Sequence, residues 1–307
     1  MSIEIQDYRT QSEKYEKNFI KQEKRISTLK AIVGGAFVQT ALNYISAPIS
    51  KKLPLFSQDM TSEKIHEVNH VIDKIAAKES MFGGRSVTMH HIAEEEIKNL
   101  NKPESIFDNM SNKLLIKFAQ GKNASYYSTF YDNTTGKIMD NVIVINREKL
   151  SLASFHELGH AHNYNNSSIL RIIQIGKPVW TALATAIALI PAFTQEQKAK
   201  DGEKLTFGQK CINFLRNASP VLAFAAMTPQ LCEEAIASVK GCNMAKRFLD
   251  VETYKQVVKT NTTGYISYLI GAAGMALFAL TAKKIKDKSA ERQERIHQEF
   301  HDTNIHT

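Results

Sequence analysis

The chain is 307 residues long, 43% of its residues are hydrophobic, and its formal net charge is +8. Its mean hydropathy of -0.28 is too polar for a transporter that lies mostly within a bilayer, but its length suffices for one catalytic domain with a few apolar helices. Three cysteines without a C-x-x-C pair do not demand a disulfide framework and do not form a metal cluster. No recognised nucleic-acid-binding motif accompanies the basic charge, so we expect no nucleic-acid partner.

The N-terminal part of the chain is a basic arm followed by an apolar segment. Residues 1–30 are charged and helix-prone, and no apolar core precedes a small-residue cleavage site, so we expect no cleavable signal. Residues 31–50 are uncharged but diluted by polar side chains, and lysines bound them on both sides. They are the weakest of the candidate transmembrane segments.

Residues 51–175 are predicted to be the catalytic region. Amphipathic helices are expected at 62–78 and 91–100, with a break at 82–84. Four histidines in this stretch are predicted to be surface or structural residues rather than metal ligands: His66, His70, His90 and His91.

A β-hairpin is predicted in the second half of that region. Residues 124–131 and 141–146 have the composition of two strands, and residues 133–136 supply the turn between them. The free edge of such a hairpin could pair with an extended substrate backbone by strand addition.

Directly after the hairpin, residues 154–164 contain an H-E-x-x-H box. On a helix, His156 and His160 lie one turn apart, so that both imidazoles can share one metal ion. Glu157 beside them can deprotonate a water molecule, as in zinc hydrolases that act on peptide bonds. His162 points to another part of the helix surface and is expected to be solvated. The alternative is a helix that carries two histidines by chance.

A catalytic zinc usually takes three protein ligands, so the box needs one more. Asparagines occupy the positions where metzincins carry glycine and histidine, which excludes that class. A Glu-x-x-Ala pattern in residues 231–238 offers Glu234, and Ala237 one turn later would let the two helices approach closely. Glu233 is turned by about 100° around the helix and is the fallback. The alternative is an ordinary acidic pair at the start of a helix.

An apolar helical hairpin is predicted at 176–232. Its two arms are 178–194 and 218–232, and the loop between them is rich in lysine. If both arms crossed a bilayer, the chain would return to the same side, and His160 and Glu234 could still meet. The arms are at or below the usual length of a span, so two core helices of a soluble protein are the alternative.

The C-terminal part is divided into a third-ligand helix with its connection at 233–263, a transmembrane helix at 264–282 and a basic tail at 283–307. The 264–282 segment is uncharged, begins with the interfacial aromatics Tyr265 and Tyr268, and is followed by lysines. With four spans, the positive-inside rule places the basic segments in the cytoplasm and the catalytic region outside. The expected class is therefore α+β and mainly helical, with a zincin-like domain, a small hairpin or sheet and three to four transmembrane helices.

The order of these parts resembles the integral-membrane gluzincin metallopeptidases, the family that includes HtpX and the CAAX prenyl proteases. The resemblance covers roughly residues 120–240 and rests on the H-E-L-G-H box, the Glu-x-x-Ala pattern and their order. It implies a multi-pass membrane endopeptidase that cleaves proteins or peptides with one Zn²⁺ per chain. It implies His156, His160 and Glu234 as ligands and Glu157 as general base.

The resemblance also implies roles for residues outside the two motifs. Asn123 and Ala124 stand where the family has an Asn-Ala pair in its substrate-side strand. Ser238 replaces an aspartate that supports a zinc histidine in the family, and a serine lacks the charge that raises ligand basicity. The family's downstream His/Arg segment is missing, so the resemblance assigns no oxyanion stabiliser, and Tyr254 is the candidate for this role.

Two other functions remain open at the level of sequence. One is a non-catalytic membrane scaffold derived from a metallopeptidase. The other is a soluble gluzincin, or a hydrolase of a non-peptide bond, in which the apolar helices form the core.

Overall fold

The computed structural model describes residues 2–51, 60–83, 85–98, 105–132, 136–199 and 203–305. It is mostly helical with one small sheet, which confirms the expected mainly helical α+β class. The helices are α1 Ser2–Lys51, α2 Ser62–Gly83, α3 Glu94–Lys98, α4 Ile106–Ala119, α5 Ser154–Asn166, α6 Ser168–Ile175, α7 Lys177–Phe193, α8 Phe207–Phe248 and α9 Val251–Ile305. The strands are β1 Thr88–His91, β2 Ser125–Asp132 and β3 Lys137–Ile145.

The chain divides into two units. Unit 1 comprises residues 1–45, 179–227 and 270–307, and unit 2 comprises residues 46–178 and 228–269. Unit 2 contains the sheet, the H-E-x-x-H helix α5 and the Glu233–Glu234 pair.

The sheet has the order β1-β3-β2. Strands β2 and β3 pair antiparallel from Ser125↔Val144 to Asp132↔Lys137, which confirms the predicted hairpin. Most of its predicted turn, residues 133–135, lies outside the described residues. Strand β1 was not predicted: it pairs parallel with β3, and the expected helix at 91–100 is shortened to α3.

Strand β3 is the centre of the unit 2 core because both of its faces are covered. Ile143 and Ile145 pack with the apolar face of α5, whereas Val142 and Val144 pack with Phe118 of α4 on the opposite face. This alternation is what a strand buried on both sides requires. β2 has no partner on its other side among the described strands, so it is an edge strand.

Two glycines let α5 and α8 approach to backbone contact. A Cβ atom on Gly159 would lie 2.0 Å from the carbonyl oxygen of Ala237, and one on Gly241 would lie 2.1 Å from that of Phe155. Both distances are far inside van der Waals contact. The glycine within the H-E-L-G-H box therefore has a packing role, and the small residue predicted at 237 faces it.

The apolar segments belong to helices longer than the sequence indicated. The 218–232 arm and Glu234 lie on one continuous helix, α8, and the 264–282 segment is part of α9. In unit 1 the buried helix positions are mainly alanines, whereas large apolar side chains point outward. The buried alanines are Ala31, Ala184, Ala188, Ala192, Ala223, Ala272, Ala279 and Ala282.

The expected number of three to four transmembrane helices is not supported. Among the described residues, only α9, over Val251–Phe300, is long and apolar enough to cross a membrane alone, and α6 with α7 meets the same criterion only as one broken pair. The sequence predicted too many spans. α7 has only 17 residues, α8 carries charges such as Arg216 beside its apolar stretch, and polar side chains interrupt the apolar segment of α1.

Candidate metal centre

Three side chains from α5 and α8 converge on one point in unit 2. The Nε2 atoms of His156 and His160 lie 3.0 Å apart, and Oε2 of Glu234 lies 3.1 Å from the first and 3.2 Å from the second. All three side chains are buried. The structure therefore brings together the three residues that the sequence selected, and their geometry could hold a metal ion.

The spacing of the three atoms suits zinc. Ligands at about 2.0–2.1 Å from a tetrahedral ion lie about 3.3 Å from one another. The observed triangle is only slightly smaller, and an ion held by three protein atoms keeps a fourth position for water or substrate. In addition, the group and its neighbours contain three carboxylates, those of Glu157, Glu233 and Glu234, and one ammonium, that of Lys177. Their two excess negative charges match a divalent cation. The donors and the charge thus both fit Zn²⁺.

Glu233, the fallback ligand, instead supports a histidine. Its Oε1 lies 2.8 Å from Nδ1 of His160 and accepts hydrogen bonds from Nδ2 of Asn163 at 3.1 Å and Nε2 of Gln174 at 2.6 Å. Gln174 also donates to the carbonyl of His160 at 2.9 Å. A carboxylate on the far nitrogen of a histidine ligand fixes its tautomer and raises its basicity. The sequence suggested no such role for Glu233.

Ser238 lies where the sequence placed it, beside a histidine of the box. Its hydroxyl is 3.1 Å from Nδ1 of His156. The two histidines are therefore supported differently, His156 by a neutral hydroxyl and His160 by a carboxylate. The charge that Ser238 lacks is supplied on the other histidine by Glu233.

Lys177, at the start of α7, was missed by the sequence analysis. Its Nζ donates to Oε1 of Glu234 at 2.7 Å and lies 3.7 Å from Oε2 of Glu233. It therefore occupies the oxygen of Glu234 that does not face the histidines. No spacing rule could have found it, because a lysine that begins an apolar helix is indistinguishable from an ordinary flanking charge.

The electrostatics of the group reflect this crowding of carboxylates. Burial alone would lower the pKa of His160, but the charge of Glu234 and the hydrogen bonds of both glutamates raise it to about 10. Burial opposes ionisation of Glu234, but the charge of His160 outweighs it and lowers the pKa of that carboxyl well below its usual range. A proton on His160 thus supplies part of the positive charge that a bound cation would supply, and metal binding would displace this proton.

Glu157, the predicted general base, is half-buried on α5. Burial raises the pKa of its carboxyl, and the histidines reduce that effect. A raised pKa brings a carboxylate closer to the value at which it can both accept and return a proton near neutral pH.

The edge strand β2 reaches the metal centre through an aromatic side chain. The ring of Tyr126 stacks on that of His160, with centroids 5.7 Å apart. The two residues expected in the substrate strand, Asn123 and Ala124, immediately precede β2, and Ala124 is buried in the core. The strand therefore lies beside the site, but the contact is made by a residue that the sequence did not single out.

A tyrosine does approach the site, but it is not Tyr254. Tyr254 packs against the core cluster that contains Phe155, and the structure does not bring it to the metal centre. The hydroxyl of Tyr268 instead hydrogen-bonds to Glu234. The sequence predicted that Tyr268 is an interfacial aromatic. Nothing in the local sequence of α9 indicates that the face carrying Tyr268 meets α8.

The remaining histidines of unit 2 lie outside the metal centre. His162 is not simply solvated, because its Nδ1 lies 2.8 Å from Oε2 of Glu79. His91 accepts a hydrogen bond from the backbone of Arg147 at 3.0 Å, and His90 packs against Phe130. These roles are structural, as expected for the last two.

Comparison of the chain with protein-family models, with curated proteins and with solved structures found no match. The geometry of the site therefore carries the functional argument.

Proposed function

We propose that this chain is a membrane-embedded, zinc-dependent endopeptidase. The observation that carries the proposal is the buried triangle of His156, His160 and Glu234, whose Nε2 and Oε2 atoms lie 3.0–3.2 Å apart. Glu157 lies on α5, the helix that carries both histidines. Two imidazoles, one carboxylate and an adjacent glutamate are the set that zinc peptidases use for hydrolysis.

The residues around the triangle can be assigned complementary parts in peptide hydrolysis. When bound, the ion supplies Lewis acidity that polarises the peptide carbonyl and acidifies a water molecule. Glu157 accepts a proton from that water and passes it to the departing amine. Lys177 and the hydroxyl of Tyr268, which both contact Glu234, are the candidates for stabilising the negative charge that develops on the carbonyl oxygen.

A peptide substrate is supported by the position of β2. An edge strand offers unpaired backbone groups to an extended chain, and β2 reaches the metal centre through Tyr126. A substrate that adds to this edge would pass close to the two histidines.

The membrane part of the proposal rests on the side-chain distribution in unit 1. A core helix of a soluble protein is mostly buried, whereas only 22% of the apolar window of α9 is buried. Small residues inside and large apolar residues outside are typical of helices that pack within lipid. Exposed examples are Val33, Phe37, Leu183, Phe193, Phe214 and Val221.

The proposal is tested by the substitution Glu157→Gln in the full chain purified in a neutral detergent. Loss of the general base should lower hydrolysis of a fluorogenic peptide library by roughly 10²–10⁴-fold. Zinc content, measured by mass spectrometry, should stay at one per chain because Glu157 is not a ligand.

The matched control is Glu148→Gln, which removes an exposed carboxylate outside the site and should leave the rate unchanged. Full activity of Glu157→Gln would refute the mechanism. A wild-type protein that holds zinc but hydrolyses no peptide would favour the non-catalytic scaffold.

A further inference from the structure

Unit 1 contains a cluster of buried cations. Arg216 on α8 is only 1% exposed, and Lys286 on α9 is only 3% exposed. Full burial of either type of side chain is rare unless an anion accompanies it.

The cluster contains fewer carboxylates than cations. Nη2 of Arg216 donates to Asp287, and Nζ of Lys283 lies 3.0 Å from the same carboxylate. Among the described residues, Nζ of Lys286 donates only to neutral hydroxyls, those of Ser27 at 3.3 Å and Thr28 at 3.1 Å. Asp287 is thus shared by two cations, and Lys286 has no carboxylate partner among the described residues.

Arg216 also has unused hydrogen-bonding capacity. Its Nε and Nη1 atoms are buried, and within the part of the chain that the structure describes they meet no acceptor. A buried donor without an acceptor costs about 1–3 kcal/mol, and more when it is charged. An anion with several acceptor atoms would satisfy both the charge and the free donors.

A basic cavity on α1 adjoins this cluster. It has a volume of about 390 Å³ and is lined by Lys17, Ile20, Lys21, Lys24 and Arg25. Ser27 and Thr28, the hydroxyl partners of Lys286, donate to the backbone oxygen of Lys24 at 3.0 and 2.9 Å, so the basic cavity and the buried cations are neighbours.

Glu16 and Glu23, the acidic residues of α1 whose side chains the structure describes, already face other partners. Glu16 pairs with His297, and Glu23 contacts Ser289 at 3.4 Å and Arg292 at 3.9 Å.

We propose that the cationic cluster of Arg216, Lys286 and Lys24 binds a phosphate group. Phosphate offers several acceptor oxygens and the negative charge that the cluster lacks, and arginine is its preferred partner. The group is carried either by the head group of an anionic lipid or by a soluble phosphate. Basic pockets between membrane helices bind lipid head groups in this way, and α1, α8 and α9 all contribute here.

The test uses the full chain in a neutral maltoside detergent, with binding followed by calorimetry and thermal unfolding. The probes are inorganic phosphate, dioleoyl phosphatidate in mixed micelles, and dioleoylglycerol, which has the same acyl chains but no phosphate. Binding of phosphatidate alone identifies a lipid head group, and binding of inorganic phosphate identifies a soluble ligand. Lys286→Met should weaken binding about tenfold or more, the effect of one lost charge-assisted hydrogen bond.

The matched control is Lys288→Met, which removes the same charge from an exposed position on α9 and should change affinity less than about twofold. If Lys286→Met does not fold, Lys24→Ala at the exposed cavity wall should give a smaller loss of about two- to fivefold. The proposal would be overturned if neither phosphate probe bound or if dioleoylglycerol bound as well as phosphatidate. Equal losses of affinity in Lys286→Met and Lys288→Met would also overturn it. Zinc content, measured in parallel, keeps this result separate from the proposed peptidase function.

Discussion

Two adjacent glutamates in this protein have different surroundings although their chemistry is identical. Because successive residues are turned by about 100° on a helix, Glu234 faces the Nε2 atoms of both histidines while Glu233 reaches behind His160 to its Nδ1. The first position suits a ligand, and the second suits a residue that orients a ligand.

This difference predicts different metal contents for two variants. Glu234→Ala should lose zinc during purification because one of three ligands is gone. Glu233→Ala should keep zinc but bind it about 10–100-fold more weakly, the usual cost of removing a residue that supports a ligand. Competition with a chromophoric chelator measures both affinities. If Glu233→Ala loses zinc and Glu234→Ala retains it, the two assignments must be exchanged.

At the scale of elements, the site depends on how closely two helices approach. α5 carries three site residues and α8 carries the two glutamates, and the distances between them are set by backbone contact at Gly159 and Gly241. The metal centre is therefore sensitive to substitutions that touch none of its side chains.

Gly159→Ala should reveal that sensitivity. Its Cβ would lie 2.0 Å from a backbone oxygen of α8, so the helices must separate. Overpacking of this kind costs about 1–3 kcal/mol or more, and zinc affinity should fall with it. Chemical denaturation and metal analysis check both effects. The control is Gly208→Ala on an exposed part of α8, where a Cβ meets nothing within 4 Å and should be neutral or slightly stabilising.

The start of α9 offers a prediction about pH. Asp250 caps the helix by accepting hydrogen bonds from the backbone of Glu252 at 3.0 Å and Thr253 at 2.9 Å, and Nζ of Lys64 lies 2.9 Å from its carboxylate. Hydrogen bonds from Lys64 and then from Thr253 lower the pKa of Asp250 well below its ordinary value. A lowered carboxyl pKa adds stability above the unfolded pKa and loses it as pH falls through the folded pKa.

Asp250→Ala should accordingly destabilise the protein by about 1 kcal/mol at neutral pH, the typical cost of a lost helix cap. Urea unfolding of both proteins from pH 7 downward measures the difference. The difference should be constant at neutral pH and shrink only below about pH 4, near the unfolded carboxyl pKa. A difference that grows on acidification would contradict the assigned role of this cap.

At the scale of the whole molecule, features that depend on local sequence patterns could be predicted, whereas features that depend on long-range contacts could not. The hairpin and the H-E-x-x-H helix depend on neighbours in the chain, so strand composition and helical spacing sufficed. Glu234 could also be selected, because Ala237 one turn later marks a close helix contact. Lys177, Tyr126 and the role of Glu233 could not be predicted, because each depends on which faces of distant elements meet.

The apolar helices show the same limit. Composition identified the segments, but it could not show that the 218–232 arm continues through Glu234 to the end of α8. It also could not show that alanines rather than large apolar residues are buried in unit 1. That distribution, rather than the number of apolar stretches, is the stronger indication of a lipid environment.

Membrane embedding predicts the behaviour of the expressed protein during fractionation. After an alkaline carbonate wash, the chain should remain in the membrane pellet and should need detergent for extraction. Immunoblotting of the pellet and supernatant, with a peripheral protein as control, decides the matter. Release into the supernatant would instead favour a soluble gluzincin.

The hydrogen bonds that converge on Glu233 have a consequence for how the proposed metal would be bound and released. His160 Nδ1, Asn163 Nδ2 and Gln174 Nε2 all meet one oxygen, and the core around Phe155 and Leu158 holds α5 in place through apolar packing. Unlike a zinc finger, whose chain folds only around its ion, such a centre is shaped before the ion arrives. Chelation should therefore empty the site without unfolding the chain, and added zinc should refill it at once.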